Sequence, residues 1–172
     1  SYGKAEDKMG WNAQPTRSIT FDQVRVPVAN RLGAEGQGFA IAMEGLDGGR
    51  LNIASCSVGT AKASLKAATE YVKERKQFKK AISEFQATQF KLADMLTELA
   101  AARQMIRYAA FKLDNNQADK TAFCAMAKRF ATDVGFRICD EALQLHGGYG
   151  YIGEFSPIEK LYRDQRVLEI YE

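Results

Sequence analysis

Leu51-Asn52-Ile53-Ala54-Ser55-Cys56-Ser57-Val58-Gly59-Thr60-Ala61-Lys62-Ala63-Ser64-Leu65-Lys66-Ala67-Ala68-Thr69-Glu70-Tyr71-Val72 sets the architecture of this chain. Leu51, Ala54, Val58, Ala61, Leu65, Ala68 and Val72 step by three and four residues throughout, which lays one continuous apolar stripe along a helix. Leu92, Met95, Leu96, Leu99, Ile106, Ala110 and Leu113 form a second stripe, and Phe123, Met126, Ala127, Phe130, Val134, Ile138 and Ala142 a third. Proline is absent from Val28 to Ser156, so nothing breaks these helices. A shorter helix is expected at Gly38–Leu46 and a last helical element from Pro157 to Ile170. Antiparallel helices of this kind, joined by turns such as Asp114-Asn115-Asn116, bury their stripes best as an up-down bundle. The expected fold class is therefore mainly α.

Upstream, Arg17 to Pro27 alternates like a strand, Ile19 and Phe21 in one phase and Val24 and Val26 in the other, with a bulge expected near Asp22-Gln23. A lone strand cannot bury both faces, so the segment is expected to belong to a sheet whose other strands lie outside this sequence. Asn30 to Gly38 carries Gly33, Gly36 and Gly38 and reads as the linker between strand and helices.

The chain has 172 residues and a net charge of +3, the size of one domain and short for an enzyme that encloses a large cofactor. No apolar run approaches the roughly eighteen residues a membrane-spanning helix needs, so a soluble protein without membrane partners is expected. Cys56, Cys124 and Cys139 lack zinc-site spacing and read as buried reduced thiols. Lys73, Arg75, Lys76, Lys79 and Lys80 concentrate positive charge without an aromatic platform or groove-reading motif, so no nucleic-acid partner is expected.

Several residues carry two readings. Gly147-Gly148-Tyr149-Gly150 follows a helix and serves either as its cap or as a place where backbone amides approach a nucleotide. Arg75, near Phe78, Phe85 and Gln86, is either a solvated helix end or a planar fork for phosphate oxygens. His146 is the single histidine and has no partners at metal spacing, so no metal is expected. Glu172, taken alone, is an exposed terminal carboxylate.

The ordered series Met9-Gly10-Trp11, Leu32 through Gly38, Leu46-Asp47-Gly48-Gly49-Arg50, Arg75-Lys76-Gln77-Phe78, Phe85-Gln86, Leu92-Ala93-Asp94-Met95, Gln144 through Gly148 and Ile170-Tyr171-Glu172 resembles the C-terminal portion of an acyl-CoA dehydrogenase. The resemblance implies that residues 1–30 are the end of the middle β-domain and 31–172 the C-terminal four-helix bundle. It implies FAD as cofactor, with Arg75 on the flavin diphosphate, Phe85 and Gln86 on the adenosine part, and Gln144, Leu145, His146, Gly147 and Gly148 on the same cofactor, reached across a dimer interface. Asp47, Gly48, Gly49 and Arg50 match the acyl-CoA segment.

Some branches of the family place their base just before the arginine. Here that position is Gly49, so the role falls to Glu172, which removes the α-proton while the flavin takes the β-hydride. An apolar acyl chain that excludes water strengthens such a carboxylate as a base. Trp11 to Thr16 and Gly48 to Ser57 look most like the branch acting on isobutyryl-CoA, a thioester of valine degradation. The resemblance further implies an electron-transfer flavoprotein as acceptor, a homotetramer built as a dimer of dimers, and a location in the cytoplasm of a bacterium or the mitochondrial matrix of a eukaryote. Lys79 stands where the family usually has Gly, which bears on the local turn. Residues 1–172 by themselves are expected to be inactive and to bind FAD poorly. An oxygen-using flavin oxidase of the same fold, and a non-catalytic oligomerisation module, are the alternatives.

Overall fold

The computed structural model describes residues 1–172 and is mainly helical. α1 spans Gly38–Glu74, α2 Gln86–Asp114, α3 Lys120–His146, α4 Gly148–Tyr151 and α5 Ile158–Leu168; a two-stranded hairpin, β1 Lys76–Gln77 and β2 Lys80–Ala81, joins α1 to α2.

The first stripe packs as its spacing dictates, with Ala54, Ala61, Leu65, Ala68 and Val72 all buried. Against it lie Met95, Leu99 and Ala102 of α2 and Ala131, Val134, Ile138 and Ala142 of α3. α1 and α3 are parallel: Asp47 meets Thr121, Ser57 meets Ala131, and Ser64 meets Cys139, at sequence separations of 74, 74 and 75. α2 runs antiparallel to α3, as the pairs Lys91–Glu141, Glu98–Arg137 and Tyr108–Phe123 show. The α2–α3 turn is held by Lys112, whose buried ammonium donates to Gln117 and Asp119 between the rings of Tyr108 and Phe123. α5 returns antiparallel to α1, with Gln165 at Ser57 and Glu172 at Gly49.

The structure corrects four expectations. The separate helix at Gly38–Leu46 does not exist, because α1 continues through Gly48-Gly49 without a break. Two glycines cost a helix roughly 2 kcal/mol relative to alanine, an amount that burial of one large apolar side chain offsets. The strand from Arg17 to Pro27 is reduced to one isolated bridge, Tyr2 with Ile19, while Ile19, Phe21, Val24 and Val26 stay exposed. No other strand in the chain offers that alternation a ladder. Gln23, at the expected bulge, does take a positive φ of 48°.

Cys56 is exposed, whereas Cys124 and Cys139 are buried and free. On a helix whose buried positions include Ala54, Ser57 and Ala61, residue 56 points off the stripe. Leu96, Met126 and Phe130 are likewise exposed: Met95 and Leu99 take the inward positions on α2, and Ala127 and Ala131, next to Met126 and Phe130, take them on α3.

Candidate functional site

The two ends of α1 gather most of the residues with a candidate role. At the Gly49 end, the carboxylate of Glu172 lies directly over the helix: a Cβ on Gly49 would stand 2.5 Å from Oε2 and 2.9 Å from Cδ. Glycine here is a requirement of that close approach. Glu172 itself holds a left-handed backbone, φ 66°, which an L residue adopts at some cost.

Asp47 is buried and accepts hydrogen bonds from Arg50 Nη1 at 3.0 Å and Thr121 Oγ1 at 2.7 Å, so it fixes the guanidinium and ties α1 to the start of α3. Gly48 meets no side chain where its own Cβ would be. Lys128 of α3 reaches the Glu169 carbonyl at 3.4 Å, placing a cation at the exit of α5. Burial pushes the Lys128 ammonium below its ordinary value, while the charges of Asp133, Glu172 and Glu169 pull the other way. Burial raises the Tyr171 phenol, and the charges of Cys56 and Glu172 add to that shift. Burial also raises the Glu169 carboxyl, with Arg166 opposing it. The end is therefore a half-buried cluster where desolvation dominates.

At the other end of α1, Arg75 and Gln144 through Gly148 line a cleft of about 620 Å3 together with Tyr71 and Tyr149. His146 is buried, stacks on Tyr71 with ring centroids 4.4 Å apart, and bonds the Ala142 carbonyl through Nδ1 at 2.8 Å. A carbonyl only accepts, so Nδ1 carries the proton that it donates there. Gly147 has φ 58° and ψ −140°, a region closed to side chains, and donates its N–H to Gln144.

No atom stands within 4 Å of where a Cβ would be on Gly147 or Gly148. An extended anionic group can therefore lie against their backbone, with the exposed Arg75 guanidinium at the rim, 5.5 Å from the Tyr149 ring. These features fit a nucleotide cofactor with a diphosphate, such as the FAD that the resemblance implies. Gly150 is needed for another reason: a Cβ there would meet His146 Cβ at 2.8 Å and the Leu143 carbonyl at 2.9 Å.

Phe85 and Gln86 are not brought into this cleft. Phe85 packs edge-on against Phe78 with centroids 6.2 Å apart and lies under the Lys80 ammonium at 4.1 Å, and Gln86 opens α2. Phe78 and Lys79 form the two-residue loop of the hairpin, with φ of 51° and 69°. That is the geometry in which glycine is favoured at the second loop position, so Lys79 occupies a place whose backbone suits Gly. No group of three or more His, Cys, Asp or Glu side chains is placed to hold a metal ion. No helix is long and apolar enough to cross a membrane.

The distance between the two ends follows from helix geometry. Gly49 to Glu74 is roughly 37 Å at the α-helical rise. Thr121, Lys128 and Gln165 carry no signal as site residues in the sequence, except that Lys128 interrupts the third apolar stripe between Ala127 and Phe130.

Known proteins share this fold. The profile of the acyl-CoA dehydrogenase C-terminal domain matches residues 36–172. A curated relative, the mitochondrial isobutyryl-CoA dehydrogenase of Bos taurus, is 53% identical over 172 residues, covering 100% of this chain and 41% of the relative. Among solved structures, butyryl-CoA dehydrogenase from Megasphaera elsdenii superimposes with a TM-score of 0.95 at 46% identity, covering 99% of this chain and 44% of that one. An acyl-CoA dehydrogenase from Bacillus anthracis solved with FAD gives 0.90 at 31% identity, covering 99% and 32%. The chain thus spans less than half the length of these relatives.

Proposed function

The chain belongs to the acyl-CoA dehydrogenase family, and on that premise we propose that the full-length protein carrying it is an FAD-dependent enzyme that removes the α- and β-hydrogens of a short branched acyl-CoA, isobutyryl-CoA. The observation that carries this reading is the carboxylate of Glu172 seated against the bare Cα of Gly49.

Glu172 takes the α-proton. Arg50, held by Asp47, and the glycine surface of Gly48-Gly49 line the acyl thioester, while the Glu172 backbone N–H hydrogen-bonds its carbonyl and stabilises the enolate-like charge. Absence of a side chain at Gly49 leaves room for the Glu172 carboxylate to sit against the helix. FAD, when bound, supplies the acceptor for the β-hydride. Arg75 would pair with the diphosphate, the backbone of Gln144–Gly148 would lie against the same cofactor, and Phe85 and Gln86 would hold the adenosine portion.

The two ends of α1 are farther apart than one flavin dinucleotide reaches, so a site that uses Glu172 of one copy uses Arg75 and Gln144–Gly148 of another. This supports a homodimer as the minimal active unit and a dimer of dimers as the assembly, with electrons passing to an electron-transfer flavoprotein. Residues 1–30 belong to a separate β-domain in this reading. Localisation follows the source, mitochondrial matrix or bacterial cytoplasm.

The test is turnover of isobutyryl-, butyryl- and isovaleryl-CoA by the full-length protein with an artificial electron acceptor. Isobutyryl-CoA is expected to give the highest kcat/KM. Preference for one of the other two contradicts the substrate, and no turnover of any contradicts the enzyme. Oxygen uptake matching substrate consumption would instead identify an oxidase. Stoichiometric FAD on residues 1–172 alone would contradict the need for the rest of the protein.

A further inference from the structure

Gln165 is fully buried, yet it belongs to the strongly charged run Tyr162-Arg163-Asp164-Gln165-Arg166. Its Nε2 donates to Ser57 Oγ at 2.5 Å and to the Thr132 carbonyl at 3.4 Å, and Ser57 Oγ in turn donates to the Ala131 carbonyl at 2.9 Å. The orientation of the amide is fixed, because reversing it would set Oε1 against the Thr132 carbonyl. Oε1 then has no partner, the one buried side-chain oxygen or nitrogen of the chain in that state. A cavity shaped for this amide is built from Gly135, where a Cβ would fall on Ser57 Oγ and 2.5 Å from Gln165 Nε2. An amide that leaves half its hydrogen-bonding capacity unmet is a poor choice for stability alone.

α5 is only 11 residues long and is followed within four residues by Glu172. Besides the apolar packing of Ile158 and Leu161 on the core, two contacts tie particular positions of α1 to this final segment, Ser57 with Gln165 and Gly49 with Glu172. Apolar helix packing tolerates sliding, whereas a hydrogen bond between two side chains at fixed positions does not. A slip of one residue along α1 is about 1.5 Å, enough to move a base off its proton.

We propose that Gln165 is a positioning residue: through Ser57 it pins the axial register of α5 on α1 and so fixes where Glu172 presents its carboxylate. This rests on the reading of Glu172 as the base.

The experiment uses the full-length, FAD-loaded protein with Gln165→Met, which keeps volume and removes the hydrogen bonds, Ser57→Ala, and the double variant. Hydrogen–deuterium exchange of residues 166–172 and the rate of flavin reduction by isobutyryl-CoA are measured together. The pin predicts exchange rising about tenfold in 166–172 but not in α2, and a rate falling about 10- to 100-fold at unchanged KM and FAD content. The double variant should be no worse than either single one. Unchanged exchange overturns the pin, as does a rate that falls only in proportion to lost FAD, the mark of a merely structural role. Raised exchange in a protein whose wild-type form reduces no flavin with acyl-CoA upholds the pin and overturns the base reading instead.

Discussion

At its Gly49 end α1 brings Asp47 together with Thr121, Lys128 and Glu172, side chains drawn from three elements, with part-buried hydrogen bonds holding Asp47 and Lys128. At its Arg75 end half of the surface comes from one continuous run, Gln144 to Tyr149, joined by Tyr71, Ile152 and an exposed guanidinium. The first end gathers charged side chains around one carboxylate, and the second offers backbone and charge to a large ligand. In the proposed reading catalysis and cofactor binding sit towards opposite ends of one helix, and substitutions should affect one without the other.

The largest separation is expected from Gly49→Ala in the full-length protein. Its Cβ enters the space of Glu172 Oε2, and flavin reduction by acyl-CoA should fall about 100-fold with FAD content unchanged, as stopped-flow absorbance would record. Loss of both together would mean that the ends are not independent. Arg75→Ala should do the converse. Losing a charged hydrogen bond of about 1.5–3 kcal/mol weakens FAD binding tenfold or more in a fluorescence titration, while KM for the thioester stays put once flavin is saturating.

The same two ends differ in how legible they are in the amino-acid sequence. Arg75 and Gln144–Gly148 stand out because glycine pairs and a basic helix end are local signals, although the positive φ of Gly147 suits cap and nucleotide readings alike and only the open space beside it favours the second. The Gly49 end is silent, because a terminal glutamate and a glycine 123 positions earlier carry no local mark of contact; family resemblance alone points there. The bundle is legible from its stripes, since three- and four-residue spacing is itself the cause of burial. The alternation at Arg17–Pro27 misleads for a complementary reason: it reports a face to be covered, and nothing in this chain covers it.

Smaller effects bear on what supports each end. Gly135→Ala near the base end should destabilise by about 1–3 kcal/mol through overpacking, measured by chemical denaturation, because Ser57 and Gln165 have no room to yield. Lys79→Gly beside the cofactor end should stabilise by about 0.5–1 kcal/mol, relieving a left-handed side-chain-bearing residue net of the entropy glycine costs. A thermal melt would show a rise of a few degrees.

The weakest effect is acid release of the N-terminal turn from α5. Burial pushes the Asp164 carboxyl up, but Lys160, the Trp11 N–H and Arg163 outweigh it and leave it below its ordinary 3.8. A depressed carboxyl contributes stability that is complete above the unfolded value and lost as pH falls through the folded one. Fluorescence of Trp11, the single tryptophan, should therefore hold steady at neutral pH and change only below about pH 4. Undocking at pH 6 would mean that Asp164 does not hold the turn.

The contrast between the two ends depends on Glu172 acting as the base. Anaerobic flavin bleaching by isobutyryl-CoA, compared between the full-length protein and its Glu172→Gln variant at equal FAD content, addresses that role without any later step. The expected result is a rate reduced about 10³-fold with the thioester still bound; bleaching at the unaltered rate would show that the proton leaves by another group.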